Sequence, residues 1–327
     1  MPKHIVSLDF DHCVFNPEYM EAVTAKTFES ENIPLLATNQ SLFADILANT
    51  EAVDAVTLMV GSNRQSHRVD GLNSFKWGVR RTTSCYSALI EVCIELNKLH
   101  AADQKDLPRK FTVDPFLLAD LYNDKEAGYS FNFSIANSVI STEAKERVIH
   151  PDIIFDYSKI TLLYAQIHKI ASAHAAEEKI IFDFIDDSWI IRRELHDFFK
   201  VHLDLIPANV TFNIFDYPPR LRKENHLTGT GPIDFQYQNN IKKLAVMTGF
   251  ELHTARSQRE GMNLYHIMGA IAAFKKGRET AKPVVTPVVS HSTNSQGFFA
   301  GEPARSASVD NNAVECKEEE LQTALGI

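Results

Sequence analysis

Basic charge is in short supply in this chain: 33 Lys and Arg face 42 Asp and Glu, for a net charge of -9. Binding along a nucleic-acid backbone needs a basic face, so a general nucleic-acid partner is not expected, although a local basic pocket is compatible with this balance. Cysteine is scarce as well. Cys13, Cys85, Cys93 and Cys316 make no C-x-x-C pair and no zinc-type spacing with histidine, and read as reduced thiols of a cytosolic-type protein. No apolar run approaches the roughly 18 to 20 residues of a membrane helix, so no membrane span is expected. Lys3-His4 lead straight into an apolar segment that carries Asp9, and a cleavable signal peptide would remove it; a soluble chain without a classical export signal follows. No repeat recurs at solenoid or propeller spacing.

What is present is ordinary globular material, 327 residues that are 44% hydrophobic and 23% charged, enough for one α/β domain with an insertion and a tail. The run Ile5 to Phe15 opens it. Its β-formers predict a buried parallel strand that delivers Asp9 and Asp11 together at its carboxyl end, where open α/β sheets place their ligands. Two carboxylates so close repel each other, and a hard divalent cation such as magnesium is the usual remedy.

Further along, Asn16-Pro17 starts a helix from Glu18 to Glu29, and Asn39 or Ser41 caps another that runs to about Ala48. Val53 to Val60 predicts a second strand ending in the polar loop Gly61-Ser62-Asn63-Arg64-Gln65-Ser66, whose hydroxyl and amide groups suit an anion. Ser84 to Leu99 has helical spacing, Asp103 to Lys110 reads as a loop, and Asp114-Pro115 introduces a helical run to Tyr122. The basic residues Arg64, Arg68, Lys76, Arg80 and Arg81 are candidates to reach an anionic substrate. Ile153 to Phe155 precedes a helix from about Ile160 to Ala171, capped by Asp156 or Ser158, with Lys159 in its first turn. A lysine there opposes the helix dipole and needs something to offset it. Lys179 to Trp189 repeats the opening design, an apolar strand ending in Asp186-Asp187, with Asp183 buried inside the run and in need of a partner. Trp189 to His202 predicts a helix, Ala208 to Phe215 a strand, and the stretch between Pro218-Pro219 and Gly229 to Pro232 a basic loop. Helices are expected from Asn240 to Met247 and from Gly261 to Lys276. Beyond Gly277 the composition turns to Pro, Ser, Thr, Asn and Gly without periodicity, predicting a disordered tail that ends in the acidic cluster Glu315 to Leu321.

The order of these signals, an acid pair on a strand, a hydroxyl after a strand, a lysine opening a helix and an acid pair on a strand, resembles the four motifs of the haloacid dehalogenase (HAD) superfamily over Ile5 to Trp189. The D-x-D and D-D elements are its specific parts, and Ser62 and Lys159 match by position. The resemblance implies an α/β fold, a Rossmann-like three-layer parallel sheet formed by residues 1–66 and 151–277, with a mostly helical insertion at 67–150 that caps the site and a tail at 278–327. It implies that Asp9 is the nucleophile that becomes an aspartyl-phosphate, that Asp11 is the proton donor and acceptor, that Ser62 and the Asn63 amide bind the phosphoryl group, and that Lys159 neutralises charge. Asp9, Asp11, Asp186 and Asp187 would hold magnesium. Lys179 is an alternative to Lys159, and Asp183 to Asp187.

An acid at the Asp11 position favours phosphoryl transfer over dehalogenation, so the implied activity is a phosphatase acting on a phosphorylated protein or small molecule. The tail is similar to the translocation signals of Dot/Icm type IV secretion effectors, which implies export from a bacterial cytoplasm into a host cell. The contrasting expectation is a catalytically idle module of the same fold that binds a host protein.

Overall fold

Side chains alternate across β1 (Lys3–Leu8), so that Val6 and Leu8 enter one apolar core and Ile5 enters another on the opposite face. A strand buried on both sides belongs in the middle of an α/β sheet, and that is its place in the computed structural model. The structure describes residues 2–25, 32–67, 69–71, 84–102, 110–122, 125–136 and 159–241. The other strands are β2 (Val56–Val60), β3 (Phe111–Val113), β4 (Ile180–Asp186), β5 (Val210–Asp216) and β6 (Arg222–Thr228). Their order is β3-β2-β1-β4-β5-β6, with β1 to β5 parallel and β6 antiparallel to β5. The architecture is α/β and compatible with a Rossmann-like fold.

The helices divide between the two faces. The connection from β1 to β2 holds α1 (Pro17–Ala25), α2 (Asn32–Thr38) and α3 (Gln40–Asn49), and α4 (Cys85–Ala101) lies between β2 and β3. Tyr19, Leu35, Phe43 and Leu89 from these helices pack with Val6 and Leu8 in the first core. After β3 come α5 (Leu118–Tyr122), α6 (Tyr129–Ala136) and α7 (Ile160–Ser172), and α8 (Trp189–Val201) joins β4 to β5. Leu118, Leu163 and Leu195 pack with Ile5, Phe182 and Phe212 in the second core. The helices before β3 thus pack in the first core and α7 and α8 in the second, while α6 returns to the first through Phe131; the strand order reverses between β1 and β4. Such a switch point opens a crevice at the carboxyl ends of the strands.

Two close approaches set this crevice. The Gly61 N–H donates to the Leu8 carbonyl at 2.7 Å, and a Cβ on Gly61 would lie 2.7 Å from Ser7 Oγ and 3.0 Å from the Leu8 backbone. Only glycine lets the end of β2 come so near the end of β1. In the buried α7, Gln166 accepts from Ser7 Oγ at 2.8 Å and donates to the Val60 carbonyl at 2.9 Å, pinning both strand ends to one helix.

Several sequence expectations need correction. The basic stretch after Pro218-Pro219 is not a loop but β6, whose exposed, charged residues hid it because an edge strand faces water. Asn39 does precede α3, yet its amide donates to the Val14 and Leu35 carbonyls instead of capping the helix. The helix expected after Asp114-Pro115 is confined to Leu118–Tyr122, and β3 stands just ahead of it. Within 67–150, α4 and β3 are built into the sheet and its first core. The segment Ile153 to Phe155, the caps Asp156 and Ser158, the residues Arg68, Lys76, Arg80 and Arg81, the loop from Asp103 to Arg109, most of the Asn240 to Met247 helix, the Gly261 to Lys276 helix and the tail lie outside the described residues.

Candidate functional site at the switch point

β1 ends at Leu8, and the next residue, Asp9, donates its N–H to the Ile185 carbonyl of β4 at 2.9 Å. That bond fixes Asp9 over the gap between the two strands. The chain then folds back on itself: Phe10 O accepts from Cys13 N at 3.2 Å and from Phe15 N at 2.7 Å, and His12 at the tip takes the left-handed conformation with φ 63°. Asn16 Oδ1 accepts from Tyr19 N at 2.8 Å and so caps α1. Asp11 is left at the rim with a half-exposed side chain while Asp9 is buried.

Lys159 enters from the other side. It occupies the cap position of α7, one residue earlier than the expected first turn, and has φ 58°. A non-glycine residue there costs of order 1–3 kcal/mol and persists only where its surroundings hold it. Here they do: Lys159 Nζ lies 2.7 Å from Asp9 Oδ1 and 2.6 Å from Asp186 Oδ2, and 5.3 Å from the centre of the Phe184 ring. The two carboxylates supply the offset that a lysine at a helix start requires. Burial would lower the Lys159 pKa, but Asp186 and Asp9 outweigh it and hold the ammonium above its usual range.

Asp186 is the last residue of β4 and fully buried. Its Oδ1 accepts from the Ser188 N–H at 2.7 Å, and its carbonyl accepts from Arg192 Nη1 at 2.8 Å. Ser188 caps α8 by accepting from Ile191 N at 3.5 Å. Asp187 is partly exposed, and burial together with the neighbouring Asp186 raises its pKa. Burial pushes the Asp9 carboxyl up to about 8, against the opposing pull of Lys159, with Asp186 and Asp11 adding to the rise. The same burial, with Asp9 and Asp186 close by, raises the Cys13 thiol well above its usual value.

Asp9, Asp186 and Asp187 each bring one carboxylate oxygen within 4.8 Å of the others. A donor set made only of carboxylate oxygen fits a hard divalent cation. Lys159 takes one oxygen of Asp9 and one of Asp186, and the Ser188 N–H takes the other oxygen of Asp186. A carboxylate oxygen that accepts one hydrogen bond keeps a second lone pair, so Asp186 can still contribute to such an ion beside Asp9 Oδ2 and the Asp187 carboxylate.

Asp11 does not join that cluster. Its two oxygens are gripped by Arg64, Nε at 3.0 Å and Nη2 in a second, close contact. Asp9 and Asp11 thus meet different basic side chains, Asp9 the Lys159 it shares with Asp186 and Asp11 the Arg64 guanidinium. Arg64 is the residue that sequence reasoning undervalued; the loop after β2 was expected to act through Ser62 and Asn63. Ser62 is buried, with its Oγ 3.4 Å from the Arg64 N–H, and Asn63 Oδ1 is buried with no hydrogen-bond partner among the described residues.

Two alternatives fall away. Asp183 sits on the first face of the sheet, bonded to His4 Nε2 at 2.7 Å and to Asn213 Nδ2 at 2.6 Å, and is no part of the acid cluster. Lys179, just before β4, lines a cleft of about 740 Å³ with His4, Asp183 and Asn209, at the opposite end of the strands. Among the described residues no helix is long and apolar enough to cross a membrane. Compared with protein-family models, with curated proteins and with solved structures, the chain matches none.

Proposed function

We propose that this protein is a magnesium-dependent phosphohydrolase of HAD type that works through an aspartyl-phosphate on Asp9. The observation that carries the reading is the convergence of Asp9, Lys159 and Asp186 within hydrogen-bond distance at the switch point of a parallel sheet. Phosphoryl transfer calls for positioning and charge neutralisation more than for elaborate covalent machinery, and an ammonium locked between two carboxylates supplies both.

In this reading an Asp9 oxygen attacks phosphorus as the bond from phosphorus to the leaving oxygen breaks. The leaving oxygen takes a proton from Asp11. Water then attacks the phosphoryl group, Asp11 accepts its proton, and inorganic phosphate departs with Asp9 restored. Asp9, Asp186 and Asp187 are the residues that would hold magnesium, which supplies charge neutralisation as anionic substrate meets anionic nucleophile. Lys159 holds Asp9 in place throughout, and the loop after β2 receives the phosphoryl oxygens. The substrate class is a phosphorylated protein or small molecule. The test is hydrolysis of p-nitrophenyl phosphate: magnesium-dependent turnover that Asp9→Asn abolishes is expected, and no turnover of any phosphoester by the folded protein would refute the reading.

A second reading draws on Asp11, the residue meant to move a proton, being tied to Arg64. An idle module that binds a host protein would fold, turn nothing over, and keep its partner after loss of Asp9 and Asp11. We also propose, from the tail composition alone, that the chain is an exported effector; deleting residues 315–327 should then abolish its appearance in a host cell.

A further inference from the structure

Arg64 is 1% exposed, and a side chain of that kind is rarely buried so fully unless its charge is answered. Its surroundings are unequal. On the inner side Nη1 lies 3.5 Å from Asp70, which is buried and itself fixed by Ser84 Oγ at 2.6 Å and the Cys85 N–H at 2.9 Å. The Arg64 carbonyl accepts from Tyr86 OH at 2.8 Å, and the guanidinium carbon lies 5.5 Å from the centre of the Phe15 ring. On the outer side stands Asp11, 45% exposed along its side chain and next to the strained tip at His12. The cation is set in a rigid socket, whereas its outer partner sits on a turn at the rim.

We propose that Arg64 is the principal anchor for the substrate's phosphoryl group, and that Asp11 holds this anchor in reserve until a phosphoryl oxygen displaces it. The inference rests on the function proposed above and deepens it. A guanidinium fork fits phosphate as well as carboxylate, and a phosphoryl group that carries more charge than Asp11 competes well for it. Asp11 is close enough to Asp9 to act on it electrostatically, so a group positioned for attack by Asp9 arrives beside the Asp11 carboxylate that Arg64 holds. The exchange also frees the Asp11 carboxylate beside the leaving oxygen, where it takes up a proton from water and can then pass it to that oxygen. No covalent bond changes in the exchange; one ion pair replaces another. An enzyme built this way engages its proton donor only when a phosphorylated ligand is in place.

The test is a double-mutant cycle read by calorimetric titration of inorganic phosphate into the full-length chain with magnesium. Asp11→Asn removes the competitor and should tighten phosphate by about tenfold or more, the range expected for a charge-assisted bond. In an Arg64→Met background the same change should tighten it less than about twofold, because the contested fork is gone. Equal tightening in both backgrounds would mean that Asp11 merely repels anions, and no tightening in either would mean that Arg64 does not take phosphate; each overturns the proposal. Wild-type protein that binds no phosphate overturns it too. If Arg64→Met fails to fold because Asp70 is stranded, Arg64→Lys keeps a charge for Asp70 without the fork and serves in its place. Failure of the parent reading looks different: wild-type protein would show the phosphate coupling yet hydrolyse no phosphoester.

Discussion

Two aspartates three residues apart on β4 meet opposite fates. Asp183 lies inside the strand in a row that crosses the sheet: His4 Nε2 at 2.7 Å, Asn213 Nδ2 at 2.6 Å, and His226 Nδ1 at 2.9 Å from Asn213 Oδ1. Asp186, at the strand end, shares one lysine with Asp9 and stands beside Asp187. In the first region a single carboxylate is matched by donors from neighbouring strands whose positions the sheet register fixes. In the second, carboxylates outnumber cations, and burial has pushed Asp9 up to about 8. A carboxylate whose two oxygens are both matched stabilises a fold, whereas an acid-rich cluster at a switch point has the charge to hold a cation.

The strongest way to break this contrast is Lys159→Met. It leaves two buried carboxylates without their shared partner and should cost about 3–5 kcal/mol, read as a drop in the urea midpoint, with loss of any turnover. Asp183→Ala should come next, costing about 1–3 kcal/mol by stranding His4 and Asn213, while turnover per folded molecule stays within about twofold. A large loss of turnover there would erase the distinction between the regions.

A pH series sharpens it further. The folded state raises the Asp9 value, so it binds the proton more tightly than the unfolded chain, and unfolding releases that proton. Without a divalent cation this contribution is complete below the ordinary value of 3.8, declines as pH rises, and is lost once pH passes about 8. Urea unfolding in a chelator should therefore weaken across that window, magnesium should restore stability at its upper end, and Asp9→Asn should flatten the slope. The smallest stability effect belongs to Asp187→Asn, under about 1 kcal/mol for a partly exposed group, with magnesium affinity falling about tenfold.

What the sequence made legible follows the same division. Asp9, Asp186 and Asp187 stood out because acids that end apolar runs break the strand pattern, and strand ends are where such sheets do chemistry. Lys159 was legible as a lysine at a helix start, but its left-handed backbone was not, since glycine or asparagine usually marks that conformation. Arg64 looked like one basic residue among five because its partners Asp11 and Asp70 come from separate segments, and Asp70 is itself held by Ser84 from a third. The partners of Asp183 were hidden for a related reason: His4 and Asn213 reach it only through strand pairing, and a one-residue change of register would turn either away. β6 escaped notice because its exposed, charged residues lack the alternation that reveals a half-buried strand.

The most direct test of the central claim is a rapid quench of the full-length protein during turnover of p-nitrophenyl phosphate with magnesium, followed by peptide mapping. The account predicts a hydroxylamine-sensitive phosphoryl group on Asp9, absent in Asp9→Asn and present in Asp183→Ala. Turnover with no phosphoryl group on Asp9, or with one on another residue, would contradict it.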